Sequence, residues 1–461
     1  MTSTEQSIQH RHLPSQVLPS RGRAYAEKVA FLWCIAPGRT ALANRVRLPG
    51  AARPDINIAL MPILFLIVVV DLIGFGLVIP LLPFYAERYG ASPQQVTLLL
   101  AVFSLMTLLA APLWGRLSDR VGRRPVLMVS MVAAAAAYLW LGVANALWML
   151  FAARALAGVC AGNIGAAQAY VADVTPPEKR ARGMGMIGAA FGLGFIIGPA
   201  LGGLVAGNNV ATADLKTPAL IAAALSVTAL AGVVLLLKES LPPEQRGQRR
   251  DRGRVASFLD AIGRPVLSRL ILIFFLVILA FAGMESTFAL WAMRQYGWGP
   301  AQVGYVFTYV GVLSAVLQGG LIGPLTRRFG EERLMACGLA LIGAGLVVLP
   351  LAAALLLLVA SVSMLALGMG MMQPSLNSLI SRRAGREEQG EVMGVAQSVG
   401  SLSRVLGPAI AGLLFAALGR ASPFFWGALL VAVALSLAWP LLRETGGAAF
   451  SGAEPPLGPA A

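Results

Sequence analysis

The sequence predicts an all-α polytopic membrane protein whose twelve transmembrane helices form two six-helix halves. Three observations predict it. Of 461 residues, 57% are hydrophobic before the 51 glycines are counted, whereas a soluble domain reaches roughly 45–50% with glycine included. Only 12% are charged, so the apolar surplus runs on for the roughly 20 residues that a helical crossing of the bilayer needs. The punctuation between the runs then repeats at an offset of 207 to 209 residues: Pro93, Gln95 and Val96 return as Pro300, Gln302 and Val303, Gly115 to Gly122 as Gly323 to Gly330, and Gly198-Pro199 as Gly407-Pro408. An ordinary soluble enzyme is excluded. The net charge of +15 does not mark a nucleic-acid binder, because the Lys and Arg residues fall in short loops where they set membrane topology. Cys34, Cys160 and Cys337 form neither a disulfide framework nor a zinc pattern. No nucleophile with a paired base, metal cluster or phosphate loop points to an enzyme.

In order, the crossings are expected at 58–82, 95–114, 125–144, 147–171, 183–207, 218–237, 269–292, 301–322, 333–352, 354–379, 391–416 and 422–442. Residues 58–237 make the first half and 269–442 the second, joined by a basic linker, 238–268. Thirty of the 36 Lys and Arg residues lie on the side shared by both termini, and Arg88, Lys216, Arg294 and Arg420 alone occupy the opposite loops. The positive-inside rule therefore places both termini in the cytoplasm. Residues 1–57 are expected to be a disordered tail or the product of a mis-assigned start, with Met61 directly before the first crossing, and 443–461 form a cytoplasmic tail. Parallel halves of this kind suit a transporter with its site at their interface.

Gly115-Arg-Leu-Ser-Asp119-Arg120-Val-Gly122-Arg123-Arg124 is the most specific motif. Its glycines are expected to permit a tight turn between crossings 2 and 3, with Asp119 offering a carboxylate to nearby guanidiniums or to a helix N-terminus. This resembles the loop signature of the major facilitator superfamily. The resemblance implies that Gly115, Asp119, Arg120, Gly122, Arg123 and Arg124 form a cytoplasmic latch, closed when the protein faces outward. Arg327 replaces the aspartate in the second half. Gly194, Gly198, Pro199, Gly202 and Gly203 in crossing 5 form a flat packing strip broken by a proline, and the pattern resembles the superfamily's exporter signature. Asp71-Leu-Ile-Gly74-Phe-Gly76 leading to Pro80 and Pro83, with Pro374-Ser-Leu-Asn377, is similar to the drug:proton antiporters of the tetracycline-exporter branch.

Asp71, Arg154, Glu285 and Arg404 stand well inside crossings, where each would be costly against lipid. By helical rise, Asp71 lies about 20 Å above the inner end of crossing 1 and Arg154 about 10 Å below the outer end of crossing 4, depths that coincide in a core of about 30 Å. A pair is expected from this, and Arg154 also resembles the buried helix 4 arginine of superfamily antiporters. Asp71, Arg154 and Glu285 are therefore the expected proton-coupling residues. Phe75, Gln168, Phe191, Trp291, Phe307, Gln373, Asn377 and Arg404 are candidates to line a substrate cavity. The resemblance implies proton-coupled export of small amphipathic molecules or drugs, with the proton gradient as driving force, no cofactor or metal, and a monomer in the plasma membrane, in bacteria the inner membrane. A narrow-specificity metabolite transporter of the same superfamily remains the alternative. Tetracycline exporters carry acids in helices 3 and 9 and a histidine in helix 8, where this chain aligns Ala137, Ile342 and Ser314, which argues against a metal-chelated tetracycline as substrate.

Overall fold

The computed structural model describes residues 56–176, 180–210, 212–247, 263–385 and 388–451. The expectations for the N-terminal tail up to residue 55, for 248–262 of the linker and for the last ten residues fall outside them. Among the described residues twelve helices are long and apolar enough to span a membrane, and no strand occurs. They are α1 (Met61–Arg88), α2 (Pro93–Val121), α3 (Arg123–Gly142), α4 (Leu147–Val174), α5 (Gly183–Ala206), α6 (Lys216–Leu236), α7 (Pro265–Tyr296), α8 (Pro300–Phe329), α9 (Glu331–Leu351), α10 (Leu355–Arg383), α11 (Gln389–Leu418) and α12 (Ser422–Leu442). The last continues as helix to Ser451.

The repeated Pro-x-Gln-Val pattern is a helix start. Ser92 Oγ accepts the Gln95 backbone N–H at 3.3 Å while Gln95 Oε1 accepts the Ser92 N–H at 2.8 Å, a reciprocal cap that satisfies two backbone donors. Gln302 repeats half of it, its Oε1 accepting the Gly299 N–H at 3.0 Å. The helices outrun their apolar runs where polar residues keep helical spacing. The expected turn from Gly115 to Gly122 is the main correction: α2 stays helical through Arg116 to Val121, and the chain reverses at Gly122 alone. Its φ of +108° belongs to the region that favours glycine. Gly330, at φ +82°, ends α8 in the same way. Two crossings are locally irregular. In α4 the regular helix stops at Val159 and resumes at Asn163, and α8 carries a π-helical stretch at Leu317–Leu321.

α1 to α6 meet α7 to α12 from the end bearing Arg88 and Pro300 inward, here called the far end. Gly203 of α5 packs on the backbone of Pro300 and Ala301, Gly311 of α8 on Phe195 and Ile196, and Gly412 of α11 on Gln94 and Thr97 of α2. Thr308 Oγ1 donates to the Ile196 carbonyl at 3.2 Å, and Arg294 pairs with Glu87 at 3.4 Å. Toward the opposite, basic end, Gly185 and Gly188 of α5, Gly319, Gly320 and Gly323 of α8, and Gly390 and Gly394 of α11 face open space. Among the described residues the close contacts between the halves lie toward the far end.

Candidate functional site

Asp71 stands midway along α1 with 7% of its surface exposed. Its Oδ2 accepts a hydrogen bond from Nδ2 of Asn163, the first residue of the second piece of α4. The turn between the two pieces is pinned from α2: Thr107 Oγ1 donates to the Gly158 carbonyl at 3.2 Å and Trp114 Nε1 to the Val159 carbonyl at 2.5 Å. The Gly158 carbonyl also accepts the Ala161 N–H at 3.3 Å, and Trp114 supplies a donor to the Val159 carbonyl at the interruption. Arg154, on the first piece, is 4% exposed. Its guanidinium lies 4.3 Å from the centroid of the Phe103 ring, an attractive placement for a desolvated cation, and its Nε has no hydrogen-bond partner.

The expected Asp71–Arg154 pair is corrected by this geometry. Asp71 bonds Asn163, Arg154 stacks on Phe103, and Tyr138 of α3 lies within electrostatic reach of both charges. Equal depth leaves the azimuth of each side chain around its helix undetermined. From Phe103 an aromatic strip continues through Phe75 at 5.4 Å to Phe195 at 6.4 Å and on to Phe191 at 6.5 Å. Phe75, Phe191 and Phe195 are half-buried.

In the second half Glu285 of α7 is half-buried and Arg404 of α11 is exposed, and each acts electrostatically on the other. Phe307, Gln373 and Asn377 are half-buried, and Gln168 is exposed. Trp291 is not a lining residue: it is fully buried among Phe288, Tyr296 and Phe424, with ring centroids 5.5–6.0 Å away. Its face of α7 turns into the core, which residue type alone does not reveal.

At the basic end Arg123, 3% exposed, bonds Asp119 Oδ1 at 2.7 Å, Asp173 Oδ2 at 2.9 Å and Ser118 Oγ at 3.0 Å. Such a buried cation is tolerable because carboxylates surround it. Arg116 and Arg120 are exposed. Glu239, just past α6, accepts the backbone N–H groups of Arg123 at 2.8 Å and Arg124 at 3.1 Å. Arg124 returns the contact, donating to the Val233 and Val234 carbonyls near the end of α6 at 3.4 and 2.6 Å. Ser240 Oγ reaches Asp173 Oδ2 at 3.2 Å, and the Gly247 N–H reaches the Asp119 carbonyl at 3.0 Å. At the far end, outside the spans, Thr217 and Lys216 hydrogen-bond the Asp214 carboxylate and hold it below its usual range.

Among the described residues no three His, Cys, Asp or Glu side chains converge as metal ligands. The sequence profile of the Major Facilitator Superfamily matches residues 64–405 and 286–459. The chain belongs to this superfamily. Its superfamily relatives include the class C tetracycline resistance protein of Escherichia coli, 34% identical over 354 residues that make up 76% of this chain and 88% of that protein. Multidrug resistance protein 2 of Bacillus subtilis (strain 168) is 30% identical over 373 residues, 80% of this chain and 91% of its own length. The crystal structure of the human organic anion transporter MFSD10 (TETRAN) superposes with a TM-score of 0.65 at 26% identity, covering 83% of this chain and all of that one. This major facilitator is thus a multi-pass membrane transporter and not an enzyme.

Asn163, Tyr138 and Glu239 escaped the sequence reading. Asn163 left one trace, an amide in a crossing that already carries Arg154 and Gln168, which the small residues Gly162 and Gly165 around it disguised as packing. Glu239 left none, since a lone acid after a crossing is ordinary.

Proposed function

We propose that this transporter couples export of small amphipathic molecules or drugs to proton entry, working by alternating access as a monomer. It needs no cofactor beyond the proton gradient. Both termini lie in the cytoplasm, so the open basic end faces inward, and the membrane is a bacterial inner membrane. The observation that carries the reading is Asp71: a carboxyl almost removed from solvent at mid-membrane depth, bonded only through an amide and continuous with an aromatic strip. A group so placed binds or releases a proton according to which side its surroundings open to. Substrate and proton exclude one another there. In the inward-open state Asp71 gives its proton to the cytoplasm and substrate lodges along Phe75, Phe191 and Phe195. After the halves rock, a proton from outside takes the carboxyl and the substrate leaves. Glu285 and Arg404 offer charge of both signs across the cavity and tune which substrates are moved.

The tetracycline and multidrug resistance relatives support drug export as the class. Ala137, Ser314 and Ile342 support a substrate other than a metal-chelated tetracycline. Inside-out vesicles carrying the protein test the reading: a proton gradient drives uptake of amphipathic dyes, and an uncoupler stops it. Uptake that persists in the uncoupler contradicts proton coupling. A broad panel with no transported compound favours the narrow carrier.

A further inference from the structure

Asn163 is the residue that joins the buried acid to the break in α4. Its side chain is held at both ends. Oδ1 accepts the Ile164 backbone N–H at 2.9 Å, and Nδ2 faces Asp71 Oδ2. The opposite amide orientation would set Nδ2 against a backbone N–H and Oδ1 against a carboxylate, donor on donor and acceptor on acceptor. The amide therefore presents only a donor to Asp71, and Asp71 Oδ2 can only accept. A proton placed on Oδ2 would confront the amide N–H, so protonation is directed to Oδ1 and turns the charge-assisted bond from Asn163 into a weaker neutral one.

The position of Asn163 makes that weakening mechanical. It opens the second piece of α4, while Arg154 lies on the first piece, and the short turn between them is pinned to α2 by Thr107 and Trp114. The other groups acting on this acid are Tyr138 from α3 and, through it, Arg154. α5 packs on α1 by glycine, with Gly194 against Leu72, and contributes no titratable side chain. We propose that Asn163 is the positioning residue of the coupling site: it fixes the orientation of the Asp71 carboxyl and transmits proton uptake, as the weakening of one hydrogen bond, to the hinge in α4. This rests on the proton-coupled reading of Asp71.

The test is spectroscopic and independent of any substrate. Infrared difference spectra of the purified full-length protein in nanodiscs are recorded across pH, and the Asp71 carboxyl C=O band is assigned by its loss in Asp71→Asn. In Asn163→Val that band moves to higher frequency, because its donor is gone. Its point of half-protonation is displaced by about tenfold in proton concentration or more, the size expected when a hydrogen bond to a charged group is removed. Asn163→Leu, which keeps the size of the side chain and carries neither donor nor charge, also displaces the midpoint and covers the case in which the valine variant does not fold. An unchanged Asp71 band and midpoint in the folded variants overturn the role of Asn163. If no titrating band disappears in Asp71→Asn, the proton-coupled reading itself fails and takes the inference with it.

Discussion

Glu239 and Arg124 clasp two helix ends in opposite senses. The carboxylate of Glu239 sits on the N-terminal N–H groups of α3, and the guanidinium of Arg124 sits on the C-terminal carbonyls of α6. Each meets the sign of helix dipole that favours it, at about 0.3–1 kcal/mol per interaction and up to about 2 where partly buried. Glu239→Gln should therefore lower stability by about 1 kcal/mol in a thermal melt, and an unchanged melt would show that the clasp contributes nothing. Asp119 bonds Arg123 in the same cluster at the basic end, so Asp119→Asn should slow export of every substrate alike with little change in binding affinity. A selective loss of affinity for one substrate would refute that assignment. Residue identity also bounds the substrate: with Ala137, Ser314 and Ile342 at the positions discussed above, expression in a sensitive host should confer little or no tetracycline resistance, as read by growth inhibition. Such chemistry was legible in the sequence wherever charge stood out against an apolar run, as with Asp71, Arg154 and Glu285. It was not legible where the deciding variable was direction around the helix, which separates Asp71 from Arg154 and turns Trp291 into the core.

α5 carries its function in what it lacks. Gly194, Gly198 and Gly202 lie against Leu72, Gly76 and Leu77 of α1, one turn after another from Asp71 toward the far end, while Gly203 faces α8. A methyl group added at Gly198 would meet the Gly76 backbone at 2.7–2.8 Å and the Ile73 carbonyl at 2.8 Å, and backbone cannot step aside as a flexible side chain does. Gly198→Ala should thus destabilise by about 1–3 kcal/mol, the usual cost of overpacking. Gly185→Ala, which meets nothing within 4 Å, should be neutral or stabilising by up to about 1 kcal/mol, because alanine is the better helix former. Parallel melts of the two variants check the pair, and equal stability would mean that α1 and α5 do not pack closely. The existence and order of the helices were legible because hydrophobic runs of this length have one solution in a bilayer. The ends of α2 and α8 were not, since Arg116 to Val121 and Gly323 to Phe329 stay helical after the apolar run stops. The α4 break was hidden too: Trp114 of α2 satisfies the Val159 carbonyl, and nothing local to Cys160–Gly162 announces that.

At the scale of the molecule, the proposed alternating access requires one half to rock against the other, so contacts at the far end must come apart. Arg294 joins Glu87 there, packs 5.0 Å from the centroid of Phe415 and accepts Arg420 on its carbonyl at 3.1 Å. A partly exposed ion pair of this kind contributes only about 0–1 kcal/mol, weak enough to break in every cycle. A thiol cross-linker joining Glu87→Cys to Arg294→Cys should stop export, with recovery when the link is cleaved, and full activity of the cross-linked protein would contradict rocking. The half repeat made this architecture readable, because Gln95 and Gln302 start equivalent helices and Gly122 and Gly330 make equivalent turns. Which end is closed depends on packing between glycines and distant backbones, and no spacing in the sequence encodes that. The most direct measurement is uphill export by Asp71→Asn in inside-out vesicles under an imposed proton gradient, set beside downhill substrate exchange in the same preparation. The account predicts that uphill export is abolished while exchange and substrate binding persist, and that Glu285→Gln keeps uphill export but alters which charged substrates are moved. Uphill export that survives in Asp71→Asn and disappears in Glu285→Gln would contradict it.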